Sequence, residues 1–123
     1  MKPTAIFFIG VVLCAGLAGP VGPVRPVAAG EITLTVVNIE TPQGVKIWEP
    51  ASVVAKKGDT VTLKLINRHA DEHGYEIAAF NVKEVVDGNK TKDVRFTVDK
   101  SGIFPIKCQL HPAHVVGQLV VLD

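Results

Sequence analysis

Sulfur-containing side chains are scarce in this sequence. Methionine occurs once, at Met1, and cysteine occurs twice, at Cys14 and Cys108. No Cys-x2-Cys pair is present, which excludes dithiol exchange. Because no methionine follows the first residue, a thioether is also excluded as a metal ligand in the body of the chain.

Other motifs are missing as well. The chain has 13 basic and 12 acidic residues but no basic stripe that could follow a phosphate backbone, so we expect no nucleic-acid partner. It has no glycine-rich phosphate loop. After residue 30 no segment is long and apolar enough to span a bilayer, so we expect no stable membrane insertion of that part of the chain.

Residues 1–29 are predicted to be a signal peptide. Lys2 precedes the apolar run AIFFIGVVLCAGLAG, and a Pro/Gly/Val stretch then leads to the small residues VAA. Cleavage after Ala29 would release a domain of residues 30–123 into the periplasm; an uncleaved membrane anchor is the alternative. Loss of Lys2 and Arg25 would leave 11 basic against 12 acidic residues, a net charge of about −1.

The rest of the chain is patterned as short strands. EITLTVVNI alternates, two runs flank the turn KKGD, and the turns DGN and DKSG separate further alternating segments. About seven such strands predict an all-β protein, an antiparallel sandwich or barrel. In HGYEI, alternation places His73, Tyr75 and Ile77 on one inward face. In IFPIKC, it places Cys108 at the end of a buried row, and the proline indicates an edge strand or a bulge.

The histidines predict a metal site. All four lie in two clusters, His69/His73 and His111/His114, and Cys108 precedes the second cluster with Cys-x2-His-x2-His spacing. Without Cys14, Cys108 has no partner for an internal disulfide. Zinc accepts such ligands, but structural zinc sites usually combine two short ligand pairs. A strand-terminal cysteine in a tight loop, with a histidine 35 residues upstream, favours copper held by imidazole and thiolate.

These segments resemble the cupredoxin family over residues 31–123. The resemblance is carried by KKGDTVTLKLIN, EHGYEIAAF and GIFPIKCQLHPAHVVGQLVV. It implies a Greek-key β-sandwich of about seven or eight strands. Within the family, CQLHP, KKGD and FTVDKSG resemble segments of nitrosocyanin, the red copper protein of ammonia-oxidising bacteria. Where nitrosocyanin has a glutamate ligand, this chain has His73, and the ligand-loop spacing resembles amicyanin, with His114 at the methionine position.

The pattern and the resemblance together predict one copper ion per chain. The predicted ligands are His73, Cys108, His111 and His114. Glu72 could replace or join His73, His114 could instead flank the site at the solvent edge, and His69 is expected to be a solvated loop residue. An imidazole in place of a thioether should favour Cu(II) and lower the reduction potential.

The predicted function is periplasmic electron transfer with a redox partner protein. A copper ion in a fixed frame of thiolate and imidazoles can change oxidation state with little rearrangement. Two alternatives stay open: a periplasmic copper carrier or buffer, and a small copper enzyme with an open coordination position.

Overall fold

The computed structural model describes residue 22 and residues 28–123. Nine strands and one short 3-10 helix make up its regular structure. They are β1 (Glu31–Glu40), β2 (Lys46–Glu49), β3 (Ser52–Lys56), β4 (Thr60–Asn67), β5 (His73–Ile77), the 3-10 helix (Ala78–Phe80), β6 (Val82–Val86), β7 (Thr91–Thr97), β8 (Gly102–Ile106) and β9 (Gly117–Leu122). The predicted signal peptide lies almost entirely outside the described residues, and its cleavage stays a prediction. Within the described residues, no helix is long and apolar enough to cross a membrane.

The strands form two sheets and a hairpin. One sheet has the order β2-β1-β4-β7, the other has the order β3-β9-β8, and β5 pairs with β6. A bridge between Glu76 and Lys107, with hydrogen bonds of 2.8 and 3.0 Å, joins the hairpin to the residue after β8. The predicted all-β sandwich is confirmed, with nine strands in the described part of the chain rather than seven or eight.

The pairing differs from the antiparallel arrangement that the turns predicted. β1 runs parallel to β4, with Glu31 opposite Thr60 and Asn38 opposite Asn67. β3 runs parallel to β9. The KKGD turn reverses the chain between β3 and β4, but these two strands join different sheets, so a turn signal here did not mean a hairpin. The other pairings are antiparallel.

Alternating apolar residues of the strands pack together and form the core between the sheets. Val61, Leu63 and Leu65 of β4 are completely buried, as the period-2 pattern predicted. They meet Leu119 of β9 and the inward side chains of β5 in one apolar cluster. Since each buried leucine or valine contributes about 1.5–3 kcal/mol relative to exposure, this cluster is the main source of stability.

A buried carboxylate organises the end of the sandwich where β4 begins. Asp59 Oδ1 accepts a hydrogen bond from the Gly30 N–H (2.7 Å), and Oδ2 accepts one from the Lys56 N–H (2.8 Å). These two backbone donors, Lys56 first, hold the pKa of Asp59 below its ordinary value of 3.8. Asp59 thus ties the start of β1 to the turn between β3 and β4.

Candidate metal centre

His73 is placed by the loop that joins the far end of β4 to β5. Asn67, the last residue of β4, is buried and donates its side-chain N–H groups to the carbonyls of Asp71 (2.7 Å) and Val86 (3.0 Å). Its Oδ1 accepts the backbone N–H of His69 at 2.9 Å. This amide therefore holds the loop from both sides, and it leaves His73, the first residue of β5, completely buried.

The other predicted ligands lie on the loop between β8 and β9. Cys108 follows β8 and is 6% exposed, in line with the buried row that alternation predicted. The His114 N–H donates to the His111 carbonyl (3.0 Å), which turns the chain tightly between the two imidazoles. The Val115 N–H then donates to the Lys46 carbonyl of β2 at 3.1 Å, so that the loop is fastened to the opposite sheet.

The structure brings all four predicted ligand residues together. One donor atom from each lies within 4.8 Å of the others, and the four residues are His73, Cys108, His111 and His114. The His73 ring centroid is 4.9 Å from that of His111 and 4.7 Å from that of His114. Cys108 Sγ lies 3.5 Å from His111 Nδ1. The arrangement could hold a metal ion; that all four side chains bind it stays a prediction.

The hydrogen bonding of this group fits a metal ion. Both ring nitrogens of His73 and of His114 are buried, and none has a hydrogen-bond partner among the residues described. Burial, followed by the proximity of His114 and His111, lowers the pKa of His73 from 6.5 to about 4. Burial and then His111 also lower the pKa of His114. The imidazoles are therefore neutral near pH 7 with free lone pairs, the form in which histidine binds metals.

The Cys108 sulfur is already positioned by the backbone. The Gly74 N–H donates to Cys108 Sγ over 3.2 Å in the buried interior. The thiolate is the metal-binding form of cysteine, and this N–H lies where it can donate to its sulfur. The sequence prediction did not single out Gly74, although a glycine inside a strand is a signal of close approach by another group.

The structure also gives the positions of Glu72 and His69, the two other residues that the sequence singled out. Glu72 is exposed and is not a member of the four-residue group. His69 lies in a loop, as expected, but it is only partly exposed to solvent: its side chain is 13% exposed and packs edge-on against His73, with 5.0 Å between ring centroids. The reason is the Asn67 hydrogen bond, which folds the loop back, and a contact of 3.6 Å between His69 Nε2 and Glu40 Oε2.

The site is buried on one side and open on the other. His111 is more exposed than the other three predicted ligand residues. A cleft of 290 Å³ lies beside it, and its walls include Cys108, His114, Glu76 and Lys107. Solvent or a partner would reach the group from this side.

Comparison with known proteins agrees with this geometry. The cupredoxin-like domain family matches residues 22–121. A stretch of 56 residues is 43% identical to nitrous-oxide reductase of Cupriavidus necator, covering 43% of this chain and 9% of that protein. A copper nitrite reductase from Nitrosomonas europaea superposes with a TM-score of 0.64 at 22% identity, over 75% of this chain and 41% of the other. The chain thus spans under half the length of either relative, and the second likeness shows the fold.

The comparisons support the general predictions. The cupredoxin-like fold is confirmed, whereas a specific kinship with nitrosocyanin stays a prediction. Copper is the cofactor that the fold and the donor set of one thiolate and three imidazoles both fit. The chain belongs to the cupredoxin-like domain family.

Proposed function

We propose that this domain is an exported electron carrier that holds one copper ion through His73, Cys108, His111 and His114. The observation that supports the proposal is the assembled, buried donor group whose histidine nitrogens have no competing partner within the described residues. Copper bound there would supply a one-electron couple between Cu(I) and Cu(II). The hydrogen-bonded frame of the protein would hold the copper ligands with little change between the two states.

Each part of that frame has a defined task. The Asn67 amide fixes the approach to His73, and the Gly74 N–H orients the Cys108 sulfur. The bond from the Val115 N–H to the Lys46 carbonyl keeps the ligand loop closed. Because ligands held in place need little reorganisation, such a frame suits electron transfer. A redox partner protein would approach over His111, the most exposed of the four residues.

A second candidate function is a small copper enzyme. The cleft beside Cys108, His111 and His114 favours it, because a small molecule could reach the group from that side. His114 separates the two functions. If its buried imidazole binds the metal, the coordination sphere is filled and favours Cu(II). If it does not, a position is open to an added ligand.

The test compares the wild type with His114→Met and His114→Ala after loading with a mixture of zinc and excess copper. We expect one copper per chain, a visible thiolate band, no spectral response of the wild type to azide, and a response of His114→Ala. His114→Met should raise the reduction potential, because a thioether favours Cu(I). Zinc retained against excess copper without visible absorption would refute the copper proposal. A wild type that binds azide, with identical potentials in all three proteins, would favour the enzyme.

Export has its own measurement. N-terminal sequencing of the native protein should start near Gly30, and fractionation should place the protein in the periplasm. Recovery of intact Met1 in the membrane fraction would support the anchored form instead.

A further inference from the structure

The indole of Trp48 crosses from one sheet to the strand that carries His73. Trp48 lies on β2 and is 5% exposed. Its Nε1–H donates to the Gly74 carbonyl of β5 over 2.9 Å, and this hydrogen bond is buried. Its ring packs edge-on against Tyr75, with 5.5 Å between centroids and an interplanar angle of 88°. A tryptophan of a short edge strand therefore touches both residues that follow His73.

On the side of β5 away from β6, Gly74 has no neighbouring strand to pair with in the described part of the chain. Two residues later, Glu76 exchanges two backbone hydrogen bonds with Lys107. Groups two residues apart on a strand point the same way, so the N–H and C=O of Gly74 face the continuation of that neighbouring chain. There the chain has turned into the ligand loop at Cys108. Two side chains therefore supply the hydrogen bonds that a neighbouring strand would make to Gly74. Cys108 Sγ accepts one from its N–H, and the Trp48 indole donates one to its carbonyl.

A third side chain covers Gly74 from above. A Cβ at residue 74 would overlap the side-chain amide of Gln109. That amide is anchored, because Gln109 Nε2 donates to the Glu84 carbonyl of β6 at 2.9 Å. Gly74 is not among the residues with positive φ, so space alone requires the glycine here. Gly74 is thus held at its N–H, its carbonyl and its α-carbon.

We propose that Trp48 is a positioning residue of the metal centre, acting through Gly74 on the Cys108 sulfur. The proposal rests on the proposed copper function. Without the indole N–H, the buried Gly74 carbonyl has no donor, and a buried unsatisfied carbonyl drives the backbone to rotate toward another partner. That rotation lengthens the bond from the Gly74 N–H to Cys108 Sγ. The sulfur then donates more electron density, which stabilises Cu(II) and lowers the reduction potential.

The chain offers a matched control in the same aromatic pair. The Tyr75 hydroxyl is buried and has no hydrogen-bond partner in the described residues. Tyr75→Phe removes a polar group without breaking a hydrogen bond, whereas Trp48→Phe removes the donor to Gly74. A purely structural Trp48 would affect stability but would leave the sulfur environment unchanged. A third protein carries benzothienylalanine at position 48, which keeps the ring size and lacks only the N–H.

The experiment measures copper absorption, reduction potential, metal affinity and, in the metal-free protein, the amide proton shift of Gly74. Both changes at position 48 should lower the potential, weaken Cu(I) binding relative to Cu(II) binding by about 10-fold and move the Gly74 amide proton upfield. Tyr75→Phe should match the wild type in all four. Equal values for the position-48 proteins and Tyr75→Phe would overturn the proposal. If the wild type shows no thiolate-to-copper band, the copper function fails, and the Gly74 amide of the metal-free proteins still decides whether Trp48 positions Gly74.

Discussion

The buried polar side chains near the two ends of β4 differ in whether they have hydrogen-bond partners. At its start, Asp59 has a backbone donor for each carboxylate oxygen. Beyond its end, His73 and His114 bury four ring nitrogens for which the described residues offer no partner. The pKa of Asp59 and the pKa of His73 are both lowered, but the charge that results differs. Hydrogen bonds keep Asp59 charged, and burial keeps His73 neutral.

This difference separates a structural polar group from a candidate metal ligand. A buried group that is fully hydrogen-bonded contributes to the fold, while one left without a partner costs free energy until something binds it. Asp59 fastens the N-terminal strand to a turn, and nothing further is needed there. The histidine end is complete only with a metal ion. Natural proteins accept such local costs at functional sites.

The largest expected effect comes from removing the thiolate. Cys108→Ser should abolish the visible copper absorption, because the band arises from charge transfer between sulfur and Cu(II). The fold should survive, since Cys108 is one small side chain at the edge of the core. Absorption spectra and far-ultraviolet circular dichroism test the two parts. Colour that persists in Cys108→Ser would show that another group supplies the band, and Cys108→Ala distinguishes loss of sulfur from a changed ligand.

Acid should weaken the two ends in different pH windows. In the metal-free protein, His73 has a folded pKa of about 4 against 6.5 in the unfolded chain. Between pH 6.5 and pH 4 the imidazole is therefore protonated in the unfolded state but neutral in the folded state. The free energy of unfolding falls as the pH drops through this range. Between pH 7 and pH 5 the loss from His73 should be about 2 kcal/mol. Asp59, with a lowered pKa, should lose its contribution only below about pH 4.

Urea denaturation of the metal-free protein at a series of pH values measures these windows. His73→Leu should flatten the loss between pH 7 and pH 5, and Asp59→Asn should leave that window as it is. A stability that does not change from pH 7 to pH 5 in the wild type would contradict the account of the histidine end.

Substitution at the two ends should change stability with opposite signs. In the metal-free protein at pH 7, His73→Leu should raise the free energy of unfolding by about 1 kcal/mol, because it removes two buried nitrogens that lack partners. Asp59→Asn should lower it, because an amide has one oxygen for two backbone donors and turns an N–H toward one of them. Thermal melts of the two variants make the comparison, and equal signs would refute it.

The smallest effect concerns Lys46. Its positive charge is one of the minor causes that lower the pKa values of His73 and His114. Lys46→Gln should raise both slightly and leave Asp59 unchanged. Titration of the imidazole proton signals by NMR tests this, with Lys100→Gln as the control for loss of a distant charge.

Much of the fold was predictable because its signals are local. Alternation placed Tyr75, Ile77 and Cys108 inward, and Pro105 indicated an edge strand; β8 is indeed an edge of its sheet. The strand β2 was missed, because its four residues KIWE are too few to show a period. The parallel pairings were missed for another reason. A strand has the same side-chain alternation whichever direction its neighbour runs.

The site was predicted in composition more than in detail. The residue types cysteine and histidine and their spacing were enough to predict that four residues form one metal site: His73, Cys108, His111 and His114. The packing of His69 against His73 and the hydrogen bond from Trp48 to Gly74 depend on residues that only the finished fold brings together. Such contacts leave no periodic trace in the sequence.

The position of Trp48 also provides a built-in optical reporter. It is the single tryptophan of the chain, so intrinsic indole fluorescence comes from one known place. Because the ring is buried, its emission should lie at short wavelength. Because it is hydrogen-bonded to Gly74, which donates to Cys108, the emission should be quenched when Cu(II) occupies the metal centre. Copper uptake, release and reduction could then be followed in the unlabelled protein at submicromolar concentration, by emission alone.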